Sequence, residues 1–101
     1  MPKLTVAVEH SLTPDEAVSR LQGFLAVIKE RYQDKISNLQ EEWETHSGSF
    51  SFSVMGFSTS GTVSVEASEV RIDGKLPLAA MMFKGMVEQQ ISEQLTRILK
   101  S

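Results

Sequence analysis

Cysteine is absent from this 101-residue chain. That removes disulfides, thiol nucleophiles and thiolate metal sites, and it fits a reducing compartment. Positive charge is not in excess: ten Lys and Arg residues stand against thirteen Asp and Glu, for a net charge of -3. The basic residues are scattered, so the stripe that nucleic-acid binding needs is missing, as is a patch for a strongly anionic membrane. No segment approaches the ~20 consecutive apolar residues of a membrane span. The start, Met1-Pro2-Lys3-Leu4-Thr5-Val6, reads at once as a strand with no charged leader before an apolar run. No signal peptide is therefore expected, and the cytoplasm is the expected address. The six glycines are dispersed, so no phosphate-cradling loop is present, and no Ser sits in a G-x-S-x-G elbow. Neither catalytic residues nor a cofactor are expected.

What is present is a clear change of period along the chain. Leu4, Val6 and Val8 alternate with polar or small residues, as in a half-buried strand. Thr13-Pro14-Asp15-Glu16 then reads as a helix start, with Thr13 as N-cap, Pro14 in the first turn and Glu16 completing a capping box. Leu12 and Ala17 are placed for a hydrophobic staple. Ala17, Leu21, Phe24, Leu25, Ile28 and Tyr32 make one helical face, fading near Gln33–Lys35. From Leu39 to Asp73 the period is two. The alternation predicts four strands around Leu39–Thr45, Phe50–Val54, Val63–Ala67 and Val70–Asp73. Ser47-Gly48, Ser60-Gly61 and Asp73-Gly74 read as turns, a tight turn is needed near Ala67-Ser68, and a bulge is expected around Gly56, where the apolar parity shifts at Met55 and Phe57. A closing helix is expected from about Pro77 to Lys100, with Ala80, Phe83, Val87, Ile91, Leu95 and Ile98 as its core stripe.

The order β-α-β-β-β-β-α predicts one α+β domain over residues 1–101. Its architecture is a two-layer sandwich in which two helices cover one face of a five-stranded, mostly antiparallel sheet. Ser49, Ser51, Ser53, Thr62 and Ser64 mark the wet face.

Few residues could carry chemistry. Neither His10 nor His46 has a partner at a motif spacing, so both read as surface or turn histidines and no metal site is expected. His10 ends the first strand just before a capped helix, where its ring can satisfy backbone groups. Trp43 lies in the acidic run Glu41–Glu44 and reads as a core anchor, with a ligand-facing role as the alternative. The most unusual stretch is Leu76–Val87, which is apolar on nearly every side. Its Leu78, Met81, Met82 and Met86 exceed what one helix stripe can bury against the sheet, and methionine suits adaptable apolar contacts.

These residues also carry a resemblance. Pro2-Lys3-Leu4-Thr5-Val6, His10-Ser11-Leu12, Glu16-Ala17, Arg20-Leu21, Glu42-Trp43, Phe50-Ser51-Phe52, Gly56, Gly61 and Leu76-Pro77 follow one another as in the polyhydroxyalkanoic acid system family of small bacterial proteins. The resemblance spans nearly the whole chain. It implies a bacterial protein encoded near polyhydroxyalkanoate synthesis and granule genes, and it supplies no active residues to carry over.

Two functions follow as expectations. The first is a non-enzymatic accessory protein of polyhydroxyalkanoate storage. It contacts a granule surface, a granule protein or its own copy, as a homodimer, through Leu78, Met81, Met82 and Met86. The second is a carrier of small acyl-type ligands, with a cavity between sheet and helix lined by Trp43 and Phe83. A hydrolase acting through His10 or His46 is the outsider, and no such activity is expected.

Overall fold

The computed structural model describes residues 3–54 and 56–100. Strand β1 spans Lys3–Glu9 and helix α1 Pro14–Arg31. Strands β2 (Ile36–Trp43), β3 (Ser47–Val54), β4 (Phe57–Val65) and β5 (Glu69–Lys75) follow. The chain closes with a 3-10 segment, Leu78–Phe83, running into helix α2, Lys84–Leu99. The five strands form one sheet in the order β1-β5-β4-β3-β2, every pair antiparallel. The expected α+β order and two-layer packing are those observed. Met1 and Pro2 of the expected first strand, and the parity shift read at Met55, lie outside the described residues.

Local signals explain most boundaries. Thr13 caps α1 by accepting a hydrogen bond from the Glu16 amide at 3.2 Å. The Glu16 carboxylate turns instead to Arg20, 3.1 Å away and one helical turn on. The tight link between β4 and β5 closes with Glu66 N donating to Glu69 O.

Three turns fall elsewhere than expected. Ser47-Gly48, Ser60-Gly61 and Asp73-Gly74 all lie inside strands. The β2–β3 hairpin turns at Glu44–His46, and β3 passes to β4 at Gly56, whose φ of +84° favours glycine. Gly56 therefore belongs to a turn rather than a bulge. The bulge lies in β2, where Asn38 and Leu39 together face Phe52, the pairing jumping from Ser37–Ser53 to Gln40–Ser51. Asn38 takes φ 55°, a left-handed conformation that Asn tolerates better than most residues.

The core is concentrated at one end of the sandwich. Leu4, Val6 and Val8 of β1, Val63 and Val65 of β4, Val70 of β5, Ala17, Val18 and Leu21 of α1, and Leu95 and Leu99 of α2 form one buried cluster. The helices meet there, where Arg20 reaches the carbonyls of Ile98 (3.1 Å) and Lys100 (2.8 Å) and closes the end of α2. The opposite face of the sheet is polar. There Asp73 accepts from Thr5 Oγ1 at 3.0 Å and from Arg71 Nε at 3.1 Å. The Arg71 guanidinium, and then the Thr5 hydroxyl, hold the Asp73 carboxyl below its ordinary range, and the same contact raises Arg71.

Candidate functional site

Two apolar features lie beside the core. The first is the front of the closing helical segment. Leu78 is 75% exposed and Met82 83%, and Met81, Phe83 and Met86 are each at least half exposed. The reason is local. Residues 78–83 wind as a 3-10 helix with no side-chain cap, rather than as the first turns of one long α-helix. At three residues per turn, side chains three apart stack in rows, so Leu78 lies in line with Met81, and Ala79 with Met82. The expected stripe therefore loses Phe83, which is exposed, and is kept only by Val87, Ile91, Leu95 and Ile98 against the core.

The second feature is an apolar trough between the helices and the β2–β3 half of the sheet. One lobe, of about 330 Å³, lies among Phe24, Leu25 and Ile28 of α1, Leu39 and Trp43 of β2, and Ile91 and Leu95 of α2. A second, of about 420 Å³, is lined by Val54, Phe57, Leu76, Pro77, Ala80 and Val87. Phe50, Phe52, Ile72 and Ile91 line both. The two phenylalanine rings stack with centroids 6.2 Å apart.

The trough exists because the sheet offers glycine where a core would have side chains. Phe50, Gly61, Gly74 and Leu4 form one cross-strand row. A Cβ on Gly61 would lie 2.7 Å from the Phe50 ring and 2.6 Å from the Asp73 carbonyl, so only glycine fits there. The Trp43 ring covers Gly48 in the same way, 2.8 Å from where a Cβ would stand. Both aromatic rings thus lie down on the sheet. The bulge at Asn38 brings Ile36 and Leu39 onto the face of Glu41 and Trp43, and all four line the first lobe.

Among the described residues, two buried side-chain atoms behind that lobe's wall, the Trp43 indole Nε1 and Glu41 Oε2, have no hydrogen-bond partner and almost no exposed surface. Lys29 Nζ stands 3.5 Å from Glu41 Oε2, close enough for an ion pair but beyond good hydrogen-bond length. A buried polar group left without a partner costs on the order of 1–3 kcal/mol.

The structure does not bring Trp43 and Phe83 together. Trp43 lines the first lobe, whereas Phe83 lines neither and is half exposed. Leu78, Met81, Met82 and Met86 share the exposed front. His10 is buried and fully used: Nδ1 accepts from Leu12 N at 3.1 Å and Nε2 donates to Glu66 O at 2.9 Å. That pattern fixes the tautomer with the proton on Nε2. His46, exposed, pairs with Asp15 at 2.8 Å and ties the β2–β3 hairpin to the start of α1. Among the described residues, no side-chain hydroxyl hydrogen-bonds to either ring. Among the described residues, no group of three or more His, Asp or Glu side chains could hold a metal ion, and no helix is long and apolar enough to cross a membrane.

Sequence reasoning missed Glu41, the inward glycines and Arg20. The glycines did carry a signal: Gly48 shares parity with Phe50 and Phe52, Gly61 with Val63 and Val65, and Gly74 with Val70 and Ile72.

The model of one protein family, described as "Putative polyhydroxyalkanoic acid system protein", matches residues 4–99. The chain belongs to that family. Neither a curated protein nor a solved structure matches it. Membership covers both features, since the matched span takes in the trough and the Leu78–Met86 front. The family's name points to polyhydroxyalkanoate metabolism and assigns neither feature a role.

Proposed function

We propose that this protein is a non-enzymatic accessory module of polyhydroxyalkanoate storage inside the cell, and that it attaches to the polyester granule through the front of its last helical segment. The observation that carries the reading is the run Leu78–Met86, where Leu78, Met81, Met82, Phe83 and Met86 all stand at least half exposed. A soluble domain seldom leaves so many large apolar side chains open in one short stretch without a use for them. A polyester surface is apolar and irregular, and the unbranched, polarizable methionine side chain adapts to such a surface. Burying ~300 Å² of this front would contribute about 7 kcal/mol before the costs of association. Net charge adds no competing pull, since the chain carries only -3. Family membership supplies the metabolic setting.

Replacing Met82 and Met86 together with Lys tests the reading. Both side chains face solvent, so thermal unfolding should stay within about 0.5 kcal/mol of the parent. Co-sedimentation with purified granules should be lost. Unchanged co-sedimentation refutes the reading. If light scattering shows a dimer that the double substitution dissolves, while granule binding was never present, the front serves a second copy instead.

A further inference from the structure

The fold sorts charge that the sequence leaves scattered. Strand β5 ends at Lys75 and β1 begins at Lys3, and the two face each other in the ladder, at the end of the sheet from which the exposed front departs. Lys84 opens α2 directly after the front. The opposite end is acidic. There Glu9 faces Glu69, Glu44 and Glu66 stand in the strand links, and Asp15 and Glu16 begin α1.

The front is also free of competing negative charge. Residues 74–87 contain Lys75 and Lys84 and no carboxylate. The acids that bound this stretch are both engaged elsewhere: Asp73 accepts from Arg71 and from Thr5 Oγ1, and Glu88 Oε2 accepts from the Thr5 amide at 3.1 Å. Neither the 3-10 segment nor α2 has an acidic residue in its first turn, so the positive end of α2 is not offset there. Among the described residues, Lys3, Lys75 and Lys84 form no ion pair.

We propose that the front docks on an anionic lipid surface, with Leu78, Met81, Met82 and Met86 entering the acyl layer and Lys3, Lys75 and Lys84 meeting the phosphate headgroups. The inference rests on the front being the contact surface, as read above, and adds the chemistry of what it meets. Charge complementarity selects the occupant. Polyester alone meets the methionines and leaves the lysines unused. A nucleic acid has phosphates but no apolar layer for five exposed apolar side chains. A second copy, seated front to front, would bring like charge against like. A lipid layer offers both parts, apolar chains beneath a negative plane.

Vesicle flotation of the full chain tests this. The vesicles are phosphatidylcholine alone and phosphatidylcholine mixed with phosphatidylglycerol, run beside lipid-free polyester particles. The parent is expected to bind the mixed vesicles about tenfold or more tightly than the neutral ones, and to lose that preference as salt rises from about 0.05 to about 0.5 M. Lys75→Gln with Lys84→Gln should weaken mixed-vesicle binding by roughly tenfold to thirtyfold and leave polyester binding unchanged. Met82→Gln with Met86→Gln should weaken both by about tenfold or more. Circular dichroism checks that both double variants fold.

Equal binding to neutral and mixed vesicles, or binding to neither, overturns the inference. If polyester particles still bind, granule attachment stands and the lipid assignment alone falls; if they do not, both fall. Mixed-vesicle binding unmoved by either double variant also overturns it. Retention of duplex DNA without vesicle binding would give the lysines to nucleic acid instead.

Discussion

The two ends of the sandwich are built from similar residues and packed to different degrees. At one end β1 buries Leu4, Val6 and Val8 beneath α2, and the first half of α1 meets the last half of α2. At the other, β2 and β3 bury no described side chain fully, although they carry Ile36, Leu39, Trp43, Phe50, Phe52 and Val54. Apolar composition alone does not make a core; a covering element must also come close enough to exclude water. The closed end has β-branched and leucine side chains that interlock, plus Arg20 and His10 as polar fasteners. The open end has glycines under aromatic rings and a bulge that turns extra apolar residues inward without anything to fill the space above them. Close packing is found at the first end, and open apolar space at the second.

That contrast can be broken by substitution. Leu99→Ala, in the closed core where the side chain is 4% exposed and lines neither lobe, should cost about 2–5 kcal/mol in chemical denaturation. Ile28→Ala, on the wall of the trough, should cost no more than about 1.5 kcal/mol, because the site is already open and a cavity term adds little. Equal losses at the two positions would erase the distinction. Next in size, His10→Ala should cost about 2–3 kcal/mol, since it strands Leu12 N and Glu66 O at the closed end. Arg20→Ala should cost about 1–2 kcal/mol and loosen the end of α2, visible as faster amide exchange near Ile98. The smallest effect belongs to Asp73. Its carboxyl is held below the ordinary value in the folded state, so its contribution is present at neutral pH and lost as pH falls through the folded value, below about 4. Asp73→Asn should leave unfolding at pH 7 almost unchanged and flatten the stability profile below about pH 4.

Much of this molecule was legible in its sequence. The alternation of Leu4, Val6 and Val8, the Thr13-Pro14 start and the Ala67-Ser68 turn led directly to β1, α1 and the β4–β5 link. The errors have a common cause. Gly48, Gly61 and Gly74 read as turn signals because glycine usually punctuates, yet each lies on the apolar parity of its strand. Reading parity before punctuation would have placed them inside. The winding of Leu78–Phe83 was not legible, since helical periodicity does not separate a 3-10 start from an α-helical one. The trough was legible only as a suspicion around Trp43. Its extent depends on where the two helices make contact, which is a tertiary outcome that no single segment encodes.

Hydrogen–deuterium exchange of the full chain, with and without purified polyester granules, tests the central claim most directly. Attachment through the front predicts protection gained at the amides of Leu78–Val87, with β1 and β5 unchanged. Granule binding that leaves Leu78–Val87 exchanging as in the free protein would contradict it.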